Sequence, residues 1–345
     1  MLPRIRNIHL GLAVAGMVLV PQANAQVDPN FYVFLAFGQS NMEGNAALPS
    51  PAMASNARFQ DLSAVTCGSR TQGKWFTAQS PLVRCDSKYS LLESFGKTMM
   101  AELPATIKIG IVPVAVAGTA ITGFDPTQAK SYYSSQQSWM QSIANQYGGD
   151  PYARLVAMAK VAQQTGVIKG ILLHQGETDA GQAGWADKVK TIYNKLLSDL
   201  SLKAADVPLL AGEVYNNAGT NAGINKLPGV VPTAYVVSSS GCAAGSDNLH
   251  FSVAGYDALG ARYAQKMIPL LPKSSLEGRK PVSDKVTGGD YAVYDLKGVQ
   301  VASFQAADAD AVESSWNGVR QNLPSGIYWM KNAASGVPHR VLNER

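Results

Sequence analysis

Histidine and cysteine are scarce in this 345-residue chain, with four and three copies, and their scarcity excludes much. No His-Glu-x-x-His pair and no paired Cys-x-x-Cys is present, so the ligand spacings of zinc chemistry are missing. The turn Gly38-Gln39-Ser40-Asn41 lacks the Gly-x-Gly-x-x-Gly pattern of a dinucleotide cradle. Neither a metal nor a cofactor is expected. Long apolar runs are rare as well: the one near the start, Leu10 to Val20, is about eleven residues, too short to span a bilayer. There is no internal repeat and no low-complexity tract. With 46% hydrophobic and 15% charged residues, the chain has the composition of a folded protein.

That short apolar run follows Arg4 and Arg6 and precedes Ala23-Asn24-Ala25, the layout of an export signal over residues 1–25 cleaved before Gln26. Its removal takes away two arginines and no acid, so the formal charge falls from +5 to +3. The remaining basic residues are scattered, which gives nucleic acid no surface to bind. In an oxidising compartment, Cys67, Cys85 and Cys242 make one disulfide and one spare thiol. Cys67 and Cys85 flank one loop-rich segment and are the expected pair, although pairings with Cys242 fit the same arithmetic.

Five apolar runs read as buried strands: Phe31 to Phe37, Ile107 to Ala117, Val167 to Leu173, Val207 to Gly212 and Ala234 to Ser238. Helical spacing joins them at 91–103, from Asp150-Pro151 to Gly166, at 185–200 and at 252–270. The segments from Ser40 to about Lys88 and from Phe124 to Gly149 read as loops. This alternation predicts an α/β fold, doubly wound, with a mainly parallel five-stranded sheet between two helical layers. Residues 26–272 form that domain, 273–285 a polar linker, and 286–345 a small β-rich module with strands at 291–296, 299–304, 327–330 and 341–342.

In open α/β sheets, ligands bind beyond the carboxyl ends of the strands. Three polar clusters lie there: Ser40, Gln175 to Glu177, and Asp247 to His250. A serine hydroxyl becomes a nucleophile when a base takes its proton and a third group orients the base. His250 has Asp247 three residues before it, within reach of its imidazole on one turn. Asp247 and Asn248 also favour turns in their own right. His174 ends a buried strand and reads as a packed residue, and His339 lies in the tail. The backbone N–H groups of Ser40 and Gly118, with the Gln175 amide, are candidate donors to an oxyanion.

Together, Gly38-Gln39-Ser40-Asn41-Met42, Gly118-Thr119, His174-Gln175-Gly176-Glu177 and Asp247-x-x-His250 resemble the SGNH-hydrolase superfamily. More narrowly, they resemble its branch of family 6 carbohydrate esterases, mostly acetylxylan esterases, and sialate O-acetylesterases. The match covers residues 30 to 271. The resemblance implies a serine esterase that removes O-acetyl groups from sugars without a metal. It makes Ser40 the nucleophile, His250 the base, Asp247 its carboxylate partner and Glu177 a second acid. Phe124 stands where the family often has Trp, which puts Phe124, with Asn41, among the expected substrate contacts. The last sixty or so residues resemble C-terminal secretion or sorting modules of exported glycan-degrading enzymes of some Gram-negative bacteria. A secreted, periplasmic or cell-surface bacterial protein is expected, with acetylated polysaccharide or oligosaccharide, xylan foremost, as its partner. Secretion machinery would engage the tail. Sialate O-deacetylation is the runner-up within the same class, and a glycan-binding protein without chemistry, gripping sugar with Tyr132, Tyr133 and Trp139, is the alternative of a different class.

Overall fold

The computed structural model describes residues 27–50, 53–272, 289–295, 299–324, 326–332 and 338–343. The expected export signal and the linker at 273–285 lie outside the described residues.

The sheet is built around β1 (Phe31–Gly38), in which all eight residues are buried. After α1 (Ser40–Glu43), β2 (Phe59–Leu62), β3 (Trp75–Thr77) and α2 (Leu91–Glu102) comes β4 (Lys108–Ala115). β4 pairs in parallel with β1, Phe31 opposite Lys108 and Gly38 opposite Ala115. The chain continues through α3 (Ala129–Ser134), α4 (Ser138–Gln146) and α5 (Pro151–Ala162) to β5 (Val167–His174) on the other side of β1. Next come α6 (Trp185–Asp199), β6 (Leu209–Gly212), α7 (Ala218–Ile224), α8 (Leu227–Val230), β7 (Ala234–Val237) and α9 (Val253–Met267). The sheet order is β3-β2-β4-β1-β5-β6-β7, parallel except for β3. The ends of β1, β4 and β5 lie level, and that brings the turns after Gly38, Ala115 and His174 together.

Alternation along β1 divides the core. Val33, Leu35 and Phe37 face α5 and α6, whose Leu155, Ala159, Val189 and Leu196 are fully buried. Tyr32, Phe34 and Ala36 face α2 and α9, with Phe95, Met99, Leu259 and Tyr263. The helix starts are chemically marked. Ser90 and Glu93 form a capping box on α2, Asp150 accepts from Ala153 N–H ahead of Pro151, and Ser252 caps α9. A disulfide joins Cys67 to Cys85, and Cys242 is a buried free thiol. Among the described residues, no helix is long and apolar enough to cross a membrane.

Seven strands replace the expected five. β2 and β3 lie in the segment read as loop, because four and three residues are too short to show alternation and β2 carries a buried Asp61. Likewise α3 and α4 occupy the segment read as loop after Phe124; their serines and glutamines hide a narrow buried face of Ala129, Tyr133, Met140 and Ala144. The C-terminal module is an antiparallel sheet of β8 (Gly289–Tyr294), β9 (Gln300–Ala306), β10 (Gly326–Asn332) and β11 (Pro338–Asn343), ordered β11-β10-β8-β9. It also contains α10 (Ala309–Arg320), capped by Asp308, a helix not among the elements expected of the β-rich module.

Two acids, Glu93 on α2 and Asp61 on β2, are deeply buried. Burial first of all pushes Glu93 up to about 7 and Asp61 up to about 8, the latter despite Arg70 at 3.4 Å. An acid whose folded pKa exceeds its unfolded value of roughly 4 holds its proton more tightly in the native state. The stability it contributes is complete below the unfolded pKa and is lost as pH rises through the folded one. The urea midpoint should therefore fall between about pH 5 and pH 8, and Glu93→Gln should flatten the lower part of that slope. An identical slope in the variant would remove Glu93 as its source.

Candidate active site

Gly38 ends β1 so close to β5 that a Cβ there would sit 2.0 Å from the His174 carbonyl oxygen. The next residue uses this proximity: Gln39 N–H donates to that same carbonyl at 3.1 Å. The Gln39 side chain, 3% exposed, then accepts from the N–H groups of Gly176 and Thr178 and from the Gln175 amide. The loop after β5 is thus bolted to the turn that begins α1, and Ser40 opens that turn.

Ser40 Oγ lies 2.8 Å from His250 Nε2, and His250 Nδ1 lies 2.6 Å from Asp247 Oδ2. The other Asp247 oxygen accepts the N–H groups of Leu249 and His250 at 3.0 and 2.9 Å. The residue therefore makes the turn and holds the imidazole at once. The hydrogen bond from His250 is the main reason that its carboxyl lies well below the usual carboxylate range, with the two backbone donors adding to it. Asn248 takes φ +54° inside this turn, a conformation that asparagine tolerates.

Glu177 does not reach His250. Its Oε1 accepts from the Asn41 amide at 2.5 Å and lies 3.7 Å from His174 Nε2. Burial raises its pKa, but the His174 imidazole and the Asn41 amide outweigh burial, and the net direction is down. Asn41, fully buried, is a clamp and not an open substrate contact. Its Nδ2 also donates to Leu249 O at 3.3 Å, while its Oδ1 accepts Phe251 N–H at 3.3 Å and the Tyr256 hydroxyl at 2.8 Å. One side chain thus grips the backbone on both sides of His250.

Two further expectations are corrected. The Gln175 amide donates to Gln39, Thr119 O and Asp179, and its oxygen accepts the Trp185 indole N–H at 2.6 Å. Its donors are spent inside the fold, so it acts as a tie between loops. Phe124, fully buried, packs edge-on against Phe37 with ring centres 5.0 Å apart and belongs to the core, with no face left for substrate. His174 is packed as expected, its Nδ1 3.3 Å from the Tyr263 hydroxyl. Among the described residues, neither the Ser40 nor the Gly118 N–H donates to a protein acceptor.

Sequence reasoning missed Glu43 and Arg84. Glu43 is one helical turn beyond Ser40, and that spacing was the available signal. Its Oε2 accepts Ala117 N–H at 2.7 Å, and its Oε1 pairs with Arg84 at 2.7 Å. Arg84, 2% exposed, also donates to Ala115 O, to the Tyr147 hydroxyl and to Asp86. The Ser40 turn and the Gly118 turn are thereby fastened through one ion pair. A cleft of ≈ 390 Å³ opens beside His250 and Asp247, bordered by Asn45, Lys88 and Ser252.

A family model described as carbohydrate esterase, sialic acid-specific acetylesterase matches residues 30–269. Among solved structures, a protein of Arabidopsis thaliana is similar at 23% identity, covering 70% of this chain and 99% of its own, with a TM-score of 0.55. NanS is similar at 15% identity over 70% and 98%, TM-score 0.51. A carbohydrate acetylesterase of Xanthomonas citri is similar at 14% over 90% and 80%, TM-score 0.50. These likenesses are of fold.

Removing one partner of a buried ion pair strands the other charge, at a cost of about 3–5 kcal/mol. Glu43→Gln should therefore lose stability of that order in chemical denaturation, while Lys108→Ala, whose 3.5 Å pair with Asp28 is exposed, should lose less than about 1 kcal/mol. Equal losses would show that the Glu43–Arg84 pair holds nothing.

Proposed function

We propose, from the premise that this chain belongs to the sialic acid-specific acetylesterase family of carbohydrate esterases, that it deacetylates sugars through an acetyl-serine intermediate on Ser40. The supporting observation is the unbroken hydrogen-bond chain from Ser40 through His250 to Asp247. His250 Nε2 takes the Ser40 proton as Oγ attacks the acetyl carbonyl carbon. The carbonyl oxygen becomes an oxyanion, and the free N–H groups of Ser40 and Gly118 donate to it. Collapse breaks the bond to the sugar oxygen, which leaves with the proton from His250. Water, deprotonated in turn by His250, then attacks acetyl-Ser40 and releases acetate. Asp247 keeps the Nδ1 proton in place and stabilises the imidazolium.

In this reading Glu177 is a positioning residue that acts through Asn41. Acetylated xylan is the first substrate, on the resemblance of the motifs to acetylxylan esterases and because tails of this kind accompany plant-wall enzymes. The family's own description favours O-acetylated sialic acid as the second. The protein is exported through residues 1–25, and the C-terminal module, which carries none of the site residues, serves secretion or surface sorting.

One acetate-release assay on acetylated xylan, O-acetylated sialic acid and a small acetate ester tests this. Ser40→Ala should lose about three orders of magnitude or more on every substrate, and Asp247→Asn about four, because the asparagine misplaces the imidazole proton. Glu177→Gln should lose only about one or two. The reverse ranking of the two acids would hand the orienting role to Glu177. Faster release from sialic acid than from xylan would move the substrate to the second reading. A folded wild-type protein inert on all three would favour a binding protein.

A chain ending at Pro272 should keep its turnover of the small ester. A folded truncation without activity would place the tail in the site.

A further inference from the structure

Three aromatic side chains of the 129–146 region surround the Gly118 turn, and two of them are committed to the fold. The Tyr133 hydroxyl bonds Thr119 Oγ1 at 2.9 Å, and the Tyr132 hydroxyl accepts Ala120 N–H at 2.8 Å. Trp139 differs. It is 48% exposed, although its neighbour Met140 is buried. Its indole N–H donates to Gln137 Oε1 at 2.7 Å, which fixes the ring's orientation without burying it. The far edge of the ring lies against Gly118: a Cβ built there would stand 2.7 Å from Trp139 Cη2. Gly118, at φ +71°, thus serves both the turn and the close approach of the indole.

We propose that the exposed Trp139 indole is the platform on which a sugar ring of the substrate stacks, beside the ester held at Gly118. The inference rests on the esterase reading above. The indole edge packs against the Gly118 Cα, so the ring stands beside the residue whose N–H is assigned to the ester oxygen in that reading. The acetyl methyl is small and enters the site, whereas the sugar remains attached to a chain in solvent. A ring half open to solvent suits the sugar. The C–H face of a pyranose is apolar and carries partial positive charge, which complements the electron-rich face of an indole. Trp offers a broad surface at little cost in side-chain entropy, because only two torsions are frozen.

The test measures kcat and KM for wild type, Trp139→Ala and Trp139→Phe on an acetylated xylo-oligosaccharide, methyl acetate and methyl butyrate. The ratio of kcat/KM on the oligosaccharide to that on methyl acetate should fall about tenfold or more in Trp139→Ala, mainly through KM, as the loss of an aromatic anchor does. Trp139→Phe should restore most of the ratio. An unmoved ratio with an active wild type overturns the platform and leaves the esterase reading standing. A ratio of butyrate to acetate that rises in Trp139→Ala also overturns it, by making Trp139 a wall of the acyl pocket. A wild type that hydrolyses methyl acetate but no acetylated sugar overturns both.

Discussion

The site depends on one buried amide. Asn41 has four partners, drawn from the loop after β5, from both sides of His250 and from α9. Ser40 and His250 are 210 residues apart in sequence, and their hydrogen bond cannot itself hold two loops in register. A neutral hydrogen bond contributes only about 1 kcal/mol net. Asn41 is the next residue after Ser40, so whatever it grips is placed relative to the serine with little slack. The low-dielectric surroundings strengthen each of its bonds and make a missing one costly.

Charge is distributed around this amide with a division of labour. Asp247 stands at the surface, where water can share its charge, and it bonds the imidazole directly. Glu177 is buried, and its negative charge depends on His174 and Asn41 beside it. Glu43 is offset by Arg84 and by a backbone donor. Glu177 and Glu43 are each tied across to the turn at another strand's end, because the level ends of β1, β4 and β5 bring those turns together. The Cys67–Cys85 bridge adds a covalent tie immediately beside Arg84.

Much of this was legible in the sequence. The run from Phe31 to Phe37 announced a strand buried on both faces, and its neighbours' polar ends pointed to one edge of the sheet. The three-residue step from Asp247 to His250 fits a turn, and the turn is there. Of the three pairings that the arithmetic allowed, the expected one, flanking a single loop-rich segment, is the one that forms. The failures share a cause, since a residue's type does not reveal where its hydrogen bonds are spent. Asn41 and Gln175 carry donors that a substrate could use, but the fold uses them first. Phe124 reads the same whether it faces a ligand or Phe37. β2 and β3 were invisible because sheet pairing, not local pattern, makes them strands.

The crossing order of the sheet carries a consequence for how the protein comes into being. Ser40 is made early and His250 late, with six of the seven strands of the sheet between or beside them still to be paired. Contacts so distant in sequence form slowly, because the loops that separate them must close first. During synthesis the serine therefore waits in an unfinished sheet, its hydroxyl without its imidazole partner. The hydrogen-bond chain from Ser40 through His250 to Asp247 is therefore made by completion of the fold and not by the arrival of any single residue.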